Sequence, residues 1–274
     1  MDIPEPRAPE PGARAARAVP MLGAHVLLWQ PQHRGVNPAV SAPIATQPRG
    51  SAFLVFNAGY SDNTRPPRDS EGNSWTALGE PVVFRGYHDL FDVKAWVALD
   101  GRGGPAHTVG IDKAGPADGE ISVPFIEIRN ADVLQDMVQT YPAEAPSLRA
   151  TLAGLVWPSG RQPVAEPGAP PASARHLTYP FGATVTSGRV TTTGPALLVA
   201  AWFGDAYAFH MTAVPDNGFT VIERLVELPP ESAVQCVVAY RQVAEAGTWQ
   251  VSWTESPNQG AVLWLLAFQS SGSG

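Results

Sequence analysis

The stretch Tyr60-Ser-Asp-Asn-Thr-Arg-Pro-Pro-Arg-Asp-Ser-Glu-Gly-Asn73 is the most polar in the chain. Asp62, Asn63, Asp69, Glu71 and Asn73 offer hard oxygens of the kind that surround calcium. Asp62, Asp69, Glu71 and Asn73 form the candidate metal set; no cofactor is expected, with calcium the one candidate. Asp, Asn and Gly also favour turns for local backbone reasons, and turn chemistry is the preferred account of this loop. A later turn keeps only Asp216 and Asn217, with Asp205 upstream, which argues against the same metal site occurring twice.

A second chemistry is sugar recognition, in which aromatic faces stack on the ring while carboxylates and amides bond hydroxyls. Tyr87-His-Asp-Leu-Phe91 and Trp202-Phe-Gly-Asp-Ala-Tyr207 each combine aromatics with a carboxylate near a glycine. Tyr87, His88, Asp89, Trp202, Asp205 and Tyr207 are the candidate glycan-binding residues. The competing account is packing: Trp202 and Phe203 can finish a core strand, and Trp96, Trp249, Trp253 and Trp264 read better as core.

Catalytic signatures are missing. There is no phosphate-binding glycine loop, no His-Glu-x-x-His and no Gly-x-Ser-x-Gly. Gly101-Arg-Gly-Gly104 lies between two strand-like runs and reads as a hairpin turn. The histidines at 25, 33, 88, 107, 176 and 210 are scattered, with no pair at i, i+2. No enzyme activity is expected. A hydrolase stands as the last alternative, because a Ser-His-Asp site is recognised by geometry and not by spacing.

Composition narrows the rest. The chain has 274 residues, 16% charged, with 26 Gly and 28 Pro, against an ordinary charged fraction of about 25%. That balance fits a turn-rich β protein. The net charge of −7 argues against a nucleic-acid partner, which calls for a basic patch. The single cysteine, Cys236, excludes an intrachain disulfide and a cysteine-cluster metal site. The opening residues lack a signal-peptide pattern, and the longest apolar runs fall well short of the about 20 residues of a spanning helix. Synthesis in the cytoplasm without membrane insertion is expected, with the virion or an extracellular particle as a further location.

The elements that must position these residues occur twice. Residues 50–128 and 194–268 carry the same signals in the same order. Gly50 opens Ser51-Ala-Phe-Leu-Val-Phe56, and Gly194 opens Pro195-Ala-Leu-Leu-Val-Ala200. Each run leads to a turn, Asp69–Trp75 or Pro215–Phe219. Val93–Leu99 then matches Val234–Tyr240, His107–Ile111 matches Trp249–Trp253, and Ile121–Ile128 matches Ala261–Phe268. Short alternating runs with turn signals every 8–12 residues or so predict sandwiches. Met21–Gln30 reads as the first strand. Ala131–Thr140 reads as a short helix, with Val133, Leu134, Met137 and Val138 on one face, and a strand is the alternative because the match is short. Ser147–Trp157 reads as the first strand of the second unit, and Pro158–Ala174 as a linker.

The signature Asp69-Ser-Glu-Gly-Asn-Ser-Trp-Thr76 resembles a widespread β-sandwich repeat of phage structural proteins and uncharacterised bacterial surface or secreted proteins. The second copy, Val214-Pro-Asp-Asn-Gly-Phe-Thr220, keeps the turn and the aromatic but loses the Gly-Asn order. The resemblance implies a surface or particle-associated role, with glycan binding and without enzyme activity. The expected fold is all-β, two tandem jelly-roll-like β-sandwich domains behind an extended N-terminal arm. The arm is residues 1–20, the domains 21–140 and 141–270, and the tail 271–274. The expected function is a non-enzymatic structural or attachment component of a phage-like particle or other multi-subunit assembly. Its expected partners are copies of itself, other assembly proteins and a cell-surface glycan. A lectin-like carbohydrate-binding module is the alternative.

Overall fold

A computed structural model describes residues 18–83, 92–143, 183–204, 211–216, 218–227, 234–256 and 261–271. Among these residues there is no helix, and every strand pairing is antiparallel. The fold is all-β and sandwich-like.

Two five-stranded sheets form its centre. The first runs β1 (Met21–Gln30), β8 (Ile121–Arg129), β3 (Ser51–Gly59), β6 (Asp92–Gly101) and β5 (Thr76–Val83). The second runs β9 (Val133–Ala143), β18 (Ala261–Gln269), β12 (Ala196–Gly204), β15 (Cys236–Val243) and β14 (Thr220–Leu225). The order of strands is the same in both. Smaller sheets cover the outer faces. Over the first lie β2 (Ala39–Val40), β7 (Val109–Ile111) and β4 (Arg68–Asp69). Over the second lie β10 (Ala183–Thr186), β17 (Ser252–Ser256) and β13 (Thr212–Pro215), with β11 (Val190–Thr192) paired to β16 (Gly247–Trp249).

Alternation along the central strands builds three apolar layers. Ala52, Leu54, Phe56 and Ala58 of β3 face Leu197, Val199, Ala201 and Phe203 of β12 across one shared core. The rings of Phe56 and Phe203 lie 5.7 Å apart, and those of Phe56 and Trp264 lie 5.9 Å apart. Phe53 and Val55 point outward under β7, and Leu198, Ala200 and Trp202 point outward under β17. Because both faces are covered, β3, β12 and β18 are buried along their whole length. That is why they read as unbroken apolar runs. The halves are therefore not separate sandwiches, since their large sheets share a core.

Ala131–Thr140 is corrected from helix to strand. Most of it lies in β9, which pairs with β18, so it joins the second sheet across the expected boundary at residue 140. Residues 1–17 of the expected arm, Ser147–Trp157, Pro158–Ala174 and residues 272–274 lie outside the described residues.

Buried polar groups close the covers and tie them to the sheets, and some of these contacts recur. Ser41 N–H donates to Val109 O at 2.9 Å, and Val109 N–H donates to Ser41 Oγ at 3.0 Å. Ser187 and Val251 repeat this pair at 2.9 and 3.1 Å. On the first sheet the carboxylate of Glu127 is a hub. Its Oε1 accepts from Gln47 N at 2.6 Å and Ser51 Oγ at 2.9 Å, and its Oε2 accepts from Ala24 N at 2.9 Å and Arg129 Nε at 3.2 Å. A side chain on Gly23 would stand 2.2 Å from that carboxylate, so a glycine is required where β1 passes it.

Candidate functional site

Strand register brings one set of strand ends together. Gln30, Ile121, Gly59, Asp92 and Val83 form one line across the first sheet. Leu225, Cys236, Phe203 and Val262 lie along the corresponding end of the second sheet, beside Gly204 and Ala261. The two ends meet: Ser122 Oγ donates to Val234 O at 2.9 Å, and a Cβ on Gly59 would lie 3.1 Å from Val234. The described residues that border 84–91 and 205–210 thus sit at a single end of the sandwich. Tyr87, His88, Asp89, Asp205 and Tyr207 themselves lie outside the described residues.

Trp202 does not serve as a surface platform. It lies in β12 of the second central sheet at 0% exposure, and its Nε1 donates to Glu255 Oε2 at 2.8 Å. The aromatic at the surface of this end is instead Trp29, next to the last residue of edge strand β1. It is 41% exposed, more than any other tryptophan among the described residues. Val36 and Val83 are exposed at the same end. Nothing in the run Leu22–Trp29 marks Trp29 as different from the apolar residues before it. Only its place at the end of an edge strand exposes it.

The oxygens expected to hold calcium are engaged locally. Asp62 Oδ1 accepts from Thr64 N at 3.1 Å, and its Oδ2 faces Arg65 Nε at 3.4 Å. Asp69 Oδ1 accepts from Glu71 N at 2.9 Å and Asn73 N at 3.2 Å, while Oδ2 accepts from Trp75 Nε1 at 2.8 Å. Glu71 accepts from Ser70 Oγ at 3.2 Å. The Asn73 amide accepts from Arg102 N at 2.7 Å and donates to Arg102 O at 2.9 Å, closing the Gly101–Gly104 turn onto the loop. Among the described residues, no three His, Cys, Asp or Glu side chains are grouped to hold a metal.

Asp69 also belongs to a buried chain that has the order of a catalytic triad. His107 Nε2 stands 3.6 Å from Asp69 Oδ1, and His107 Nδ1 lies 3.1 Å from Thr46 Oγ1. The His107 ring is wedged edge-on against Phe53 and Phe125, with centroids 4.7 and 5.0 Å away, and is wholly buried. Thr46 Oγ1 is occupied further by Gly104 N at 3.0 Å. In the second half the same station holds Trp249, whose Nε1 donates to Thr192 Oγ1 at 3.0 Å. An indole can do the work of His107, so that work is packing and loop anchorage.

Burial alone raises the pKa of Asp69, but the neighbouring His107 and hydrogen bonds from Asn73 and Trp75 outweigh it and hold the carboxyl below its usual range. Such a group stabilises the fold above its unfolded pKa, and the stabilisation disappears as pH falls through the folded value. Urea unfolding from about pH 6 down to about pH 2 is expected to show a loss of stability that Asp69→Asn reduces. An unchanged pH slope in the variant contradicts this role.

Two more buried groups lie at the loop end. Lys113 Nζ donates to Gln30 Oε1 at 2.6 Å, Gly119 O at 2.7 Å and Ala117 O at 3.1 Å. Burial holds its ammonium below the usual lysine range, with Asp118 acting in the opposite sense. Lys113 thus fastens the ends of β1 and β8 to the turns between them. Asp92 accepts from Asn63 Nδ2 at 2.6 Å. Burial pushes its carboxyl up to about 6, against the hydrogen bond from Asn63 and the nearby Lys94, while Asp62 pushes it further up.

No protein-family model matches the chain, and no curated protein sequence matches it.

Proposed function

We propose that the protein is a non-enzymatic attachment component of a multi-subunit assembly, and that the loop end is its recognition face. One observation carries the reading: Trp29, an exposed tryptophan with exposed Val36 nearby, stands where the strand ends of both sheets converge. Binding surfaces on sandwiches are grafted onto such clustered strand ends, because a rigid scaffold beneath them limits the entropy lost on binding. Aromatic residues are the usual anchors of protein contacts. The matched strand orders support reading the chain as two copies of one unit that pack on a shared core. The partners are further copies of the chain and other proteins of the particle.

Hydrogen exchange at low and high protein concentration tests the face. Protection is expected at residues 26–36 and 59–64, while the opposite end around 47–50 and 101–104 exchanges as before. Protection confined to that opposite end, or none at either end, sinks the reading.

The exposure of Trp29 also favours a second reading, a lectin-like face that stacks a sugar ring. On a glycan array this reading expects binding that Trp29→Ala abolishes. An array without binding removes it.

A further inference from the structure

We propose that two copies of the chain pair through strand β1, antiparallel and centred on Leu27, into a two-fold dimer with one continuous sheet. This pairing rests on the role given above to Trp29 and gives its contact a form.

A proline shows which backbone groups β1 offers. Pro124 lies inside β8, and proline lacks the N–H that a ladder needs. The β3–β8 ladder pairs Val55 with Phe125 and Ala58 with Ser122, but skips Phe56 and Asn57. The side of Pro124 that lacks its donor is therefore turned toward β3. The β1–β8 ladder runs without a break past Pro124, from His25/Ile126 to Gln30/Ile121. In an antiparallel ladder, successive residues turn their N–H and C=O to opposite sides. Val123 and Phe125 thus bond Leu28 and Val26 of β1, and the backbone groups of His25, Leu27 and Trp29 point away from the sheet. Among the described residues β1 ends its sheet, and none bonds those outward groups.

The other edges of the two large sheets are guarded. β5 contains Glu80 and Pro81, and its ladder to β6 shifts between Leu78 and Val82. β14 contains Glu223 and Arg224. On β9, Asp136 and Thr140 accept the backbone N–H groups of Thr191 and Gly188, which lie over that edge. Charge, proline and cover are the devices that keep an edge from pairing. The ten residues of β1 contain no Asp, Glu, Lys, Arg or Pro. A two-fold pairing sets the strand against its own copy, where a charge at the centre would meet itself. The uncharged edge of β1 is complementary to itself in this sense, and main-chain bonds along such an edge supply affinity.

The outward residues also choose the register. With Leu27 opposite Leu27, His25 stands opposite Trp29 of the second copy, and every outward residue exchanges both of its backbone bonds. Any other centre leaves at least one of them unpaired. His25, Leu27 and Trp29 share the face of β1 that looks toward the second sheet: His25 reaches Glu223 of β14 at 2.6 Å, and Leu27 packs on the shared core. Trp29, 41% exposed, then covers His25 of the second copy, whose side chain is 30% exposed.

Amide hydrogen exchange resolved residue by residue, on the full chain at low and high concentration, tests the pairing. The amides of His25, Leu27 and Trp29 are expected to slow by about tenfold or more as concentration rises. Those of Val26 and Leu28, already bonded to β8, are expected to keep their rates. Slowing confined to residues 30–36 and 59–64 overturns the β1 pairing and leaves the loop-end reading standing; no slowing anywhere overturns both. Charge at the centre gives a second test. Leu27→Lys and Leu27→Glu, each with native circular dichroism, are each expected to weaken the dimer by about tenfold or more, and an equal mixture of the two to restore it. Variants that dimerise like the native chain, or a mixture that stays monomeric, overturn the pairing.

Discussion

Replacing Glu127 with leucine is expected to lower the unfolding free energy by about 3–5 kcal/mol. The carboxylate is fully buried and receives four hydrogen bonds, from Ala24, Gln47, Ser51 and Arg129. Leucine fills a similar volume but accepts nothing, so two backbone N–H groups and one hydroxyl lose their partner. Arg129 loses the charge beside it. The cost is paid through three separate segments, because Glu127 joins β1, the Gln47 turn and the start of β3. Glu127→Gln keeps one acceptor oxygen and is expected to fall between the native protein and the leucine variant. Urea unfolding checks both. A leucine variant within about 1 kcal/mol of native would show that these bonds are made as well in the unfolded chain's water.

The second large effect is expected at Trp264. Its ring packs on Phe56 of the other large sheet at 5.9 Å, and a Cβ on Gly79 of β5 would meet it at 3.3 Å. Trp264→Ala is expected to cost about 3–5 kcal/mol through lost burial and the cavity left behind. Because this residue belongs to the core that both sheets share, the loss should appear in one cooperative transition that carries both halves. Tryptophan fluorescence and far-ultraviolet circular dichroism should trace the same curve in native protein. Two resolved transitions, with only one moved by the substitution, would mean that the halves are stable apart.

Much of the β architecture was legible because central strands covered on both faces leave continuous apolar runs. Ser51–Gly59, Ala196–Gly204 and Ala261–Gln269 are such strands, and Met21–Gln30 has the bounds expected of it. The match of His107–Ile111 with Trp249–Trp253 holds in detail, since Val109 and Val251 make the same serine bridge. Other features depend on geometry that a linear pattern does not carry. Val133, Leu134, Met137 and Val138 mimic a helical face because β9 shifts register against β18 between Leu134 and Asp136, opposite Ala267/Phe268. The bulge interrupts the period of two. The matched runs opened by Gly50 and Gly194 are also offset by one residue. Ala52 faces the shared core and so does Leu197, whereas Ala196 faces outward. A shift of one residue exchanges the faces of a strand, so turn glycines alone do not fix which side chains meet.

The candidate site was less legible for related reasons. Trp202 combines an aromatic, a glycine and a carboxylate in sequence, yet it belongs to a central strand and is buried. Trp29 sits in a run of apolar residues, yet it ends an edge strand and is exposed. The polar loop Tyr60–Asn73 drew attention to Asp69, Glu71 and Asn73, whose oxygens serve the loop itself.

The claim that the loop end joins this protein to its assembly is tested most directly by light scattering across a range of concentrations. The native chain is expected to exceed the 29.0 kDa of one copy as concentration rises, and Trp29→Ala to remain near that mass under the same conditions. A native chain of 29.0 kDa at every concentration, or a Trp29→Ala variant that associates as strongly as the native protein, would contradict it.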